Sequence, residues 1–191
     1  MFFYILAHTI CWFLLYIGFW NVINYVEKRK LKQCILLEGY FERFNDMDKN
    51  VRNNLSLDKY ISGTRILYPW ENPLINKNIF IFNSEYEGGF PHTHGPYIMS
   101  PSLKRLNKKT YQHEKLHIYQ RYNPLEVNKE ITKKYPILGI ACNKKSRANP
   151  DTNCLQYKGF SSDFIQDPKH LSDIVSSYKD HPYEEMAYKI T

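Results

Sequence analysis

No two of the four cysteines, Cys11, Cys34, Cys142 and Cys154, form a CxxC pair, and four in 191 residues falls far below the density of a small secreted scaffold. A fold built on disulfides is therefore not expected. Cys11 falls in an apolar N-terminal run, and the odd number that remains favours free thiols in a reducing compartment, with a Cys142–Cys154 bridge across one loop as the alternative. Internal repeats are lacking, and no Pro-, Gly- or Ser-rich linker divides residues 33 to 191, which reads as one domain. Nucleic-acid motifs are lacking too. The net charge of +7 and pI near 9.1 come from basic residues scattered over Lys28 to Lys32, Lys104 to Lys109, Lys133 with Lys134, and Lys144 with Lys145. No nucleic-acid partner is expected from them.

Charge of either sign is missing from "MFFYILAHTICWFLLYIGFWNVINYV", Met1 to Val26. At 1.5 Å per helical residue this run is long enough to cross a hydrocarbon layer of ~30 Å. Trp12, Tyr16, Trp20 and Tyr25 suit a membrane segment, and "EKRKLK", Glu27 to Lys32, follows it. A cleaved signal would need a basic start and a small-residue cleavage site, neither of which is visible. The reading is a single-pass anchor, with the rest of the chain on the cytoplasmic side by the positive-inside rule. A sequon at Asn54, Leu55, Ser56 points weakly the other way.

The material is globular: over the whole chain 43% of residues are hydrophobic, and 16 Tyr and 11 Phe argue against a disordered chain. Heavy use of Asn, Lys, Ile and Tyr reflects an AT-rich genome, a viral one among the options. "RILYPW" (Arg65 to Trp70) and "NIFIFNS" (Asn78 to Ser84) read as strands, "EGGFPHTHGP" (Glu87 to Pro96) as a loop, and "YIMSP" as a short strand. A helix is expected from about Leu103 to Tyr122, stopped at Asn123-Pro124, and a second near Leu125 to Lys134. "ANPDTN" reads as a turn, "CLQYKGF" as a strand, and a last helix should start at Pro182. This order is α+β.

The chemistry concentrates in "KKTYQHEKLHIYQRYNP", Lys108 to Pro124. On a helix His113 and His117 lie one above the other, while Glu114 projects about 100° round the axis, beside an ion the imidazoles would share. Two neutral imidazoles and a third protein ligand leave an open position for water on a zinc ion, with a carboxylate placed to take its proton. The competing reading is a solvated helix face, since Lys108, Lys109, Lys115 and Arg121 surround the pair, but Leu116, Ile118 and Tyr119 make the helix half-apolar.

"HEKLHIYQR" resembles the active-site helix of zincin metallopeptidases, in the HExxHxxQ form found in gluzincin-like families. The resemblance implies a small mixed sheet, one zinc ion per chain, Glu114 as general base, and a third ligand from a glutamate on a later helix. "HPYEEMAYKIT" offers Glu184 for that place, with Glu185 in reserve and Tyr188 as a group hydrogen-bonding a ligand histidine. It further implies an edge strand that pairs with an extended peptide, here "GPYIMSP" with Tyr97, Ile98 and Met99. Tyr157, His170 and His181 are the candidates for a donor to the transition state. On this reading residues 1–26 are the anchor, 27–59 a juxtamembrane segment and domain entry, and 60–191 a zincin-like catalytic domain acting on a peptide or protein. Two readings compete with it: a metal hydrolase or pseudoenzyme that does not cut peptides, and a membrane-anchored, possibly viral, structural protein with a fortuitous HExxH. His92-Thr93-His94 invites a second metal, although histidines in a Gly/Pro loop are commonly surface residues.

Overall fold

The helix formed by the uncharged N-terminal run does not end where charge begins. Helix α1 runs Phe2–Glu38 without a break, and an 18-residue window in it reaches a mean hydropathy of 1.6 with none of it buried. It is long and apolar enough to cross a membrane. The computed structural model describes residues 2–44, 46–68, 71, 78–83, 86–140, 151–153, 155–159 and 181–190.

The second part of α1 belongs to the domain. Leu31 and Ile35, one turn apart, are buried in one core with Tyr40, Phe44, Leu55, Tyr60, Ile66, Phe80, Phe82, Tyr97 and Met99. Segment 27–59, expected as juxtamembrane segment and domain entry, thus contributes Leu31, Ile35, Tyr40, Phe44 and Leu55 to this core. Contact begins at the edge of the apolar run itself. Trp20 packs edge-on against Tyr68, ring centroids 5.7 Å apart, and the Asn24 side chain accepts the Ile66 N–H at 2.9 Å.

After two short helices, α2 (Asp46–Val51) and α3 (Leu57–Ser62), come β1 (Arg65–Ile66), β2 (Ile79–Ile81), β3 (His92–His94) and β4 (Tyr97–Ser100). They form one mixed sheet in the order β1-β2-β4-β3, with β2 and β4 parallel and the other pairs antiparallel. Period-two alternation sorts its side chains. Phe80, Tyr97 and Met99 face the α1 core, whereas Ile79 and Ile98 join Leu67 and Leu106 on the other face. Tyr111 and Ile118 of α4 (Lys108–Tyr122) pack there, so the HExxH helix lies across the sheet.

Two expectations are corrected by this sheet. His92 to His94, read as loop, is a strand, paired His92↔Met99, Thr93↔Ile98 and His94↔Tyr97. Both histidines are buried rather than surface residues: His92 Nε2 meets the Tyr60 hydroxyl at 2.6 Å and His94 Nδ1 meets Glu38 at 2.8 Å. Secondly, Tyr97, Ile98 and Met99 cannot receive a peptide by strand addition, because β4 is interior and hydrogen-bonded on both sides. The edge beside α4 is β3. Its outward main-chain groups are taken, Thr93 N–H by the Asp151 carboxylate at 2.9 Å and Thr93 C=O by Arg121 at 3.2 Å.

The hairpin turn joining β3 to β4 requires a glycine. Gly95 has φ +54°, and a Cβ there would come within 2.7 Å of Cys34 Sγ on α1. Glu38 at the end of α1 accepts the Gly95 N–H at 2.6 Å and pairs with Arg121 of α4 at 3.2 Å. The apolar helix, the hairpin and the HExxH helix are thus clasped at one point.

Beyond α4 come α5 (Pro124–Lys134), a two-stranded antiparallel ladder of β5 (Ile137–Ile140) and β6 (Leu155–Tyr157), and α6 (Pro182–Ile190). Val127, Ile131, Tyr157 and Tyr183 form a separate small core that holds α6 in place. The Leu103 to Tyr122 helix of the sequence reading is split into a 3-10 turn at Leu103–Arg105 and α4 proper. Asn107 starts α4: its side chain accepts the Thr110 N–H at 3.0 Å, which satisfies one otherwise orphaned donor. Asn107→Ala should cost about 1 kcal/mol and lower the melting temperature by about 2–4 °C, read by calorimetry on the full chain in detergent; an unchanged midpoint would show that the cap contributes nothing.

Candidate metal centre

Helical spacing puts His113, His117 and Gln120 on one stripe of α4, and α6 packs against that stripe. Pro182 opens α6, so Glu184 and Glu185 leave its first turn about 100° apart. Glu184 turns inward and is 4% exposed. The His113 and His117 Nε2 atoms are 3.0 Å apart, and Glu184 Oε2 lies 3.3 Å from the first and 3.5 Å from the second. An ion held tetrahedrally at ~2.0–2.1 Å needs donors spaced by about 3.3 Å, so the three atoms fit one zinc-sized ion. Ala187, fully buried one turn after Glu184, lets the two helices approach.

Glu185 faces away, accepting from the Tyr135 hydroxyl at 2.7 Å and pairing with Lys134 and Lys189. His117 is held by a chain of polar contacts. Its Nδ1–H donates to Gln120 Oε1 at 2.8 Å, and Gln120 Nε2 donates to the Tyr183 carbonyl at 3.0 Å. That fixes the ring and turns Nε2 to the shared point, where its lone pair becomes available to an ion once the Nε2 proton leaves.

Glu114 is buried beside the pair at 3% exposure, and its Oε2 has no hydrogen-bond partner among the described residues. Burial, then the Asp151 and Glu184 carboxylates, push its pKa well above the ordinary carboxylate range. Glu184 goes the opposite way. Burial opposes its charge, but the neighbouring His117 and hydrogen bonds from His113 and His117 hold it down at about 2. The same interaction, seen from His117, outweighs the cost of burying an imidazolium and lifts that group to about 10. The two neighbouring carboxylates are thus driven in opposite directions by their surroundings.

A cleft of about 480 Å³ opens over the cluster, lined among others by Phe90, His113, Glu114, Asp151, Glu184 and Tyr188. Tyr188 touches His113 ring against ring, centroids 4.7 Å apart, rather than by the hydroxyl hydrogen bond expected of it. Tyr157 is not placed to act on a substrate here. It does not line the cleft, and its hydroxyl is engaged by Asn128 and Asn153. His181 does not line it either: its Nδ1 accepts the Tyr183 N–H at 3.1 Å, and burial pulls its pKa to about 4. His170 lies outside the described residues, as do Cys142 and Cys154.

Asp151 was not anticipated. Its carboxylate forms a second three-residue group with Glu114 and His117, and it takes both the N–H and the hydroxyl of Thr93. Nothing in the spacing of "ANPDTN" relates it to the HExxH helix, so no sequence signal pointed to it. Gln120 did carry one, standing three residues after His117 on the same helical face. Among the described residues His92 and His94 enter no such group. No family model, curated protein or solved structure matches this chain.

Proposed function

We propose that the chain is a membrane-anchored, zinc-dependent metallopeptidase. The observation that carries the reading is the convergence of His113, His117 and Glu184 donor atoms at 3.0–3.5 Å with a buried Glu114 beside them. His113, His117 and Glu184 would hold the ion, which when bound supplies Lewis-acid polarisation of a carbonyl and of water. Glu114 takes the proton of the attacking water and returns it to the leaving amine, a role suited to a carboxyl whose proton affinity is raised. Gln120 keeps His117 in the metal-binding tautomer. Tyr188, at the cleft mouth against His113, is the hydroxyl best placed to donate to oxygen charge as it develops. The peptide lies along the cleft and does not extend the sheet, since Asp151 and Arg121 occupy the β3 edge.

The membrane part of the proposal rests on α1. The full-length chain should resist alkaline extraction from membranes, with Glu27 to Lys32 and the domain on the cytoplasmic side. A chain recovered in the soluble fraction with its N-terminus intact would end it, and protection of the domain from protease in sealed vesicles would reverse the sidedness.

Zinc titration of the full chain in detergent is the direct test. It should reach about one zinc per chain, and peptide-library cleavage should vanish with a chelator and return with zinc. Uptake should also release a proton. His117 must be neutral to bind, and in the metal-free protein it keeps its proton up to about 10, whereas Glu184, held at about 2, is already ionised. Zinc affinity should therefore rise about tenfold per pH unit above neutrality and level off near 10, where His117 loses its proton. Calorimetry in buffers of different ionisation enthalpy would show it, and uptake without proton release would contradict the pairing of His117 with Glu184. A full complement of zinc without cleavage of any peptide would favour the non-peptidase hydrolase.

A further inference from the structure

The rim of the cleft carries one sign of charge. Lys104 and Arg105 come from the 3-10 turn before α4, and Lys109 from the first turn of α4. All three side chains are exposed, and none is paired with a carboxylate among the described residues. Of the three carboxylates that line the cleft, two are engaged and the third is buried. Glu184 pairs with His113 and His117, Asp151 with Thr93, and Glu114 is buried. Three like charges lining one cleft repel one another.

Resting on the metallopeptidase reading, we infer that this cleft selects acidic peptides, with Lys104, Arg105 and Lys109 receiving Asp or Glu side chains that flank the scissile bond. The three cations line the same cleft as His113, Glu114 and Glu184, and Phe90 with Tyr188 adds aromatic surface to it. A volume of about 480 Å³ is that of a site for a few residues, not of an open face that meets a nucleic-acid duplex. Exposed ion pairs are individually weak, so two or three together should discriminate only roughly 5- to 10-fold between an acidic peptide and its amide counterpart.

The test uses the full chain in detergent, zinc-loaded and carrying Glu114→Gln so that peptides are bound and not cut. Fluorescein-labelled peptides rich in Asp and Glu are compared with the same sequences in Asn and Gln by anisotropy. The acidic set should bind roughly 5- to 10-fold more tightly at low salt, and the difference should shrink near 1 M salt, where the Debye length falls to about 3 Å. Adding Lys104→Gln, Arg105→Gln and Lys109→Gln together should abolish the preference without changing zinc content. Equal affinities, a preference that survives the triple substitution, or tighter binding of a single-stranded oligonucleotide would each overturn the inference. Acidic preference in binding without cleavage by the parent chain would remove the peptidase reading alone, and cleavage without acidic preference would remove the inference alone.

Discussion

Glu114→Gln should leave zinc bound with little change and lower peptide turnover by about 100-fold or more. Gln has nearly the shape of Glu, so the packing around a side chain only 3% exposed is kept, while the group can no longer accept a proton. Glu114 is no part of the triad that would hold the ion; His113, His117 and Glu184 supply those donors. Metal content and chemistry are separated by this one substitution. Burial and the nearby Asp151 and Glu184 carboxylates raise the Glu114 pKa in the metal-free chain, and Asp151 is the part of that environment reached without disturbing a donor of the triad. Near-parent turnover in Glu114→Gln would exclude Glu114 as the base, and loss of zinc would mean that it is a ligand.

Much of this centre is legible in local sequence because a helix fixes angles locally. His113 and His117 four apart, Glu114 between them and Gln120 a turn further on need only 3.6 residues per turn to be placed. The start of α6 was legible for the same reason, since Pro182 marks a first turn. What could not be read depends on partners distant in the chain. His92 and His94 stand between Gly and Pro residues and look like loop, yet β3 exists because β4 pairs with it and Tyr60 and Glu38 satisfy its rings. The same holds for the interior place of β4, which follows from the parallel pairing with β2 and from no periodicity of its own. The continuation of α1 into the core was hidden by "EKRKLK", which reads as the end of a span. Leu31 and Ile35 at helical spacing were the available signal.

The ligand assignment makes the other large prediction. Glu184→Ala removes one of three donors and should weaken zinc binding by more than 100-fold, beyond the ~10–100-fold that losing a supporting hydrogen bond costs. Gln120→Ala should fall in that lower range, because it frees the His117 ring to turn but leaves all three donors present. Glu185→Ala should change zinc affinity little, since its carboxylate is occupied by Tyr135, Lys134 and Lys189 on the outer side of α6. The order Glu184 far above Gln120, and Gln120 above Glu185, is what the geometry requires. Competition with a chromogenic chelator reads all three on the full chain. Loss of the Glu184 carboxylate also leaves His117 without its main anionic neighbour, so the proton released on zinc uptake near neutral pH should diminish in the same variant. Zinc retained by Glu184→Ala and lost by Glu185→Ala would reverse the assignment. Zinc retained by both would shift the third donor to Asp151, the carboxylate that already shares a cluster with His117.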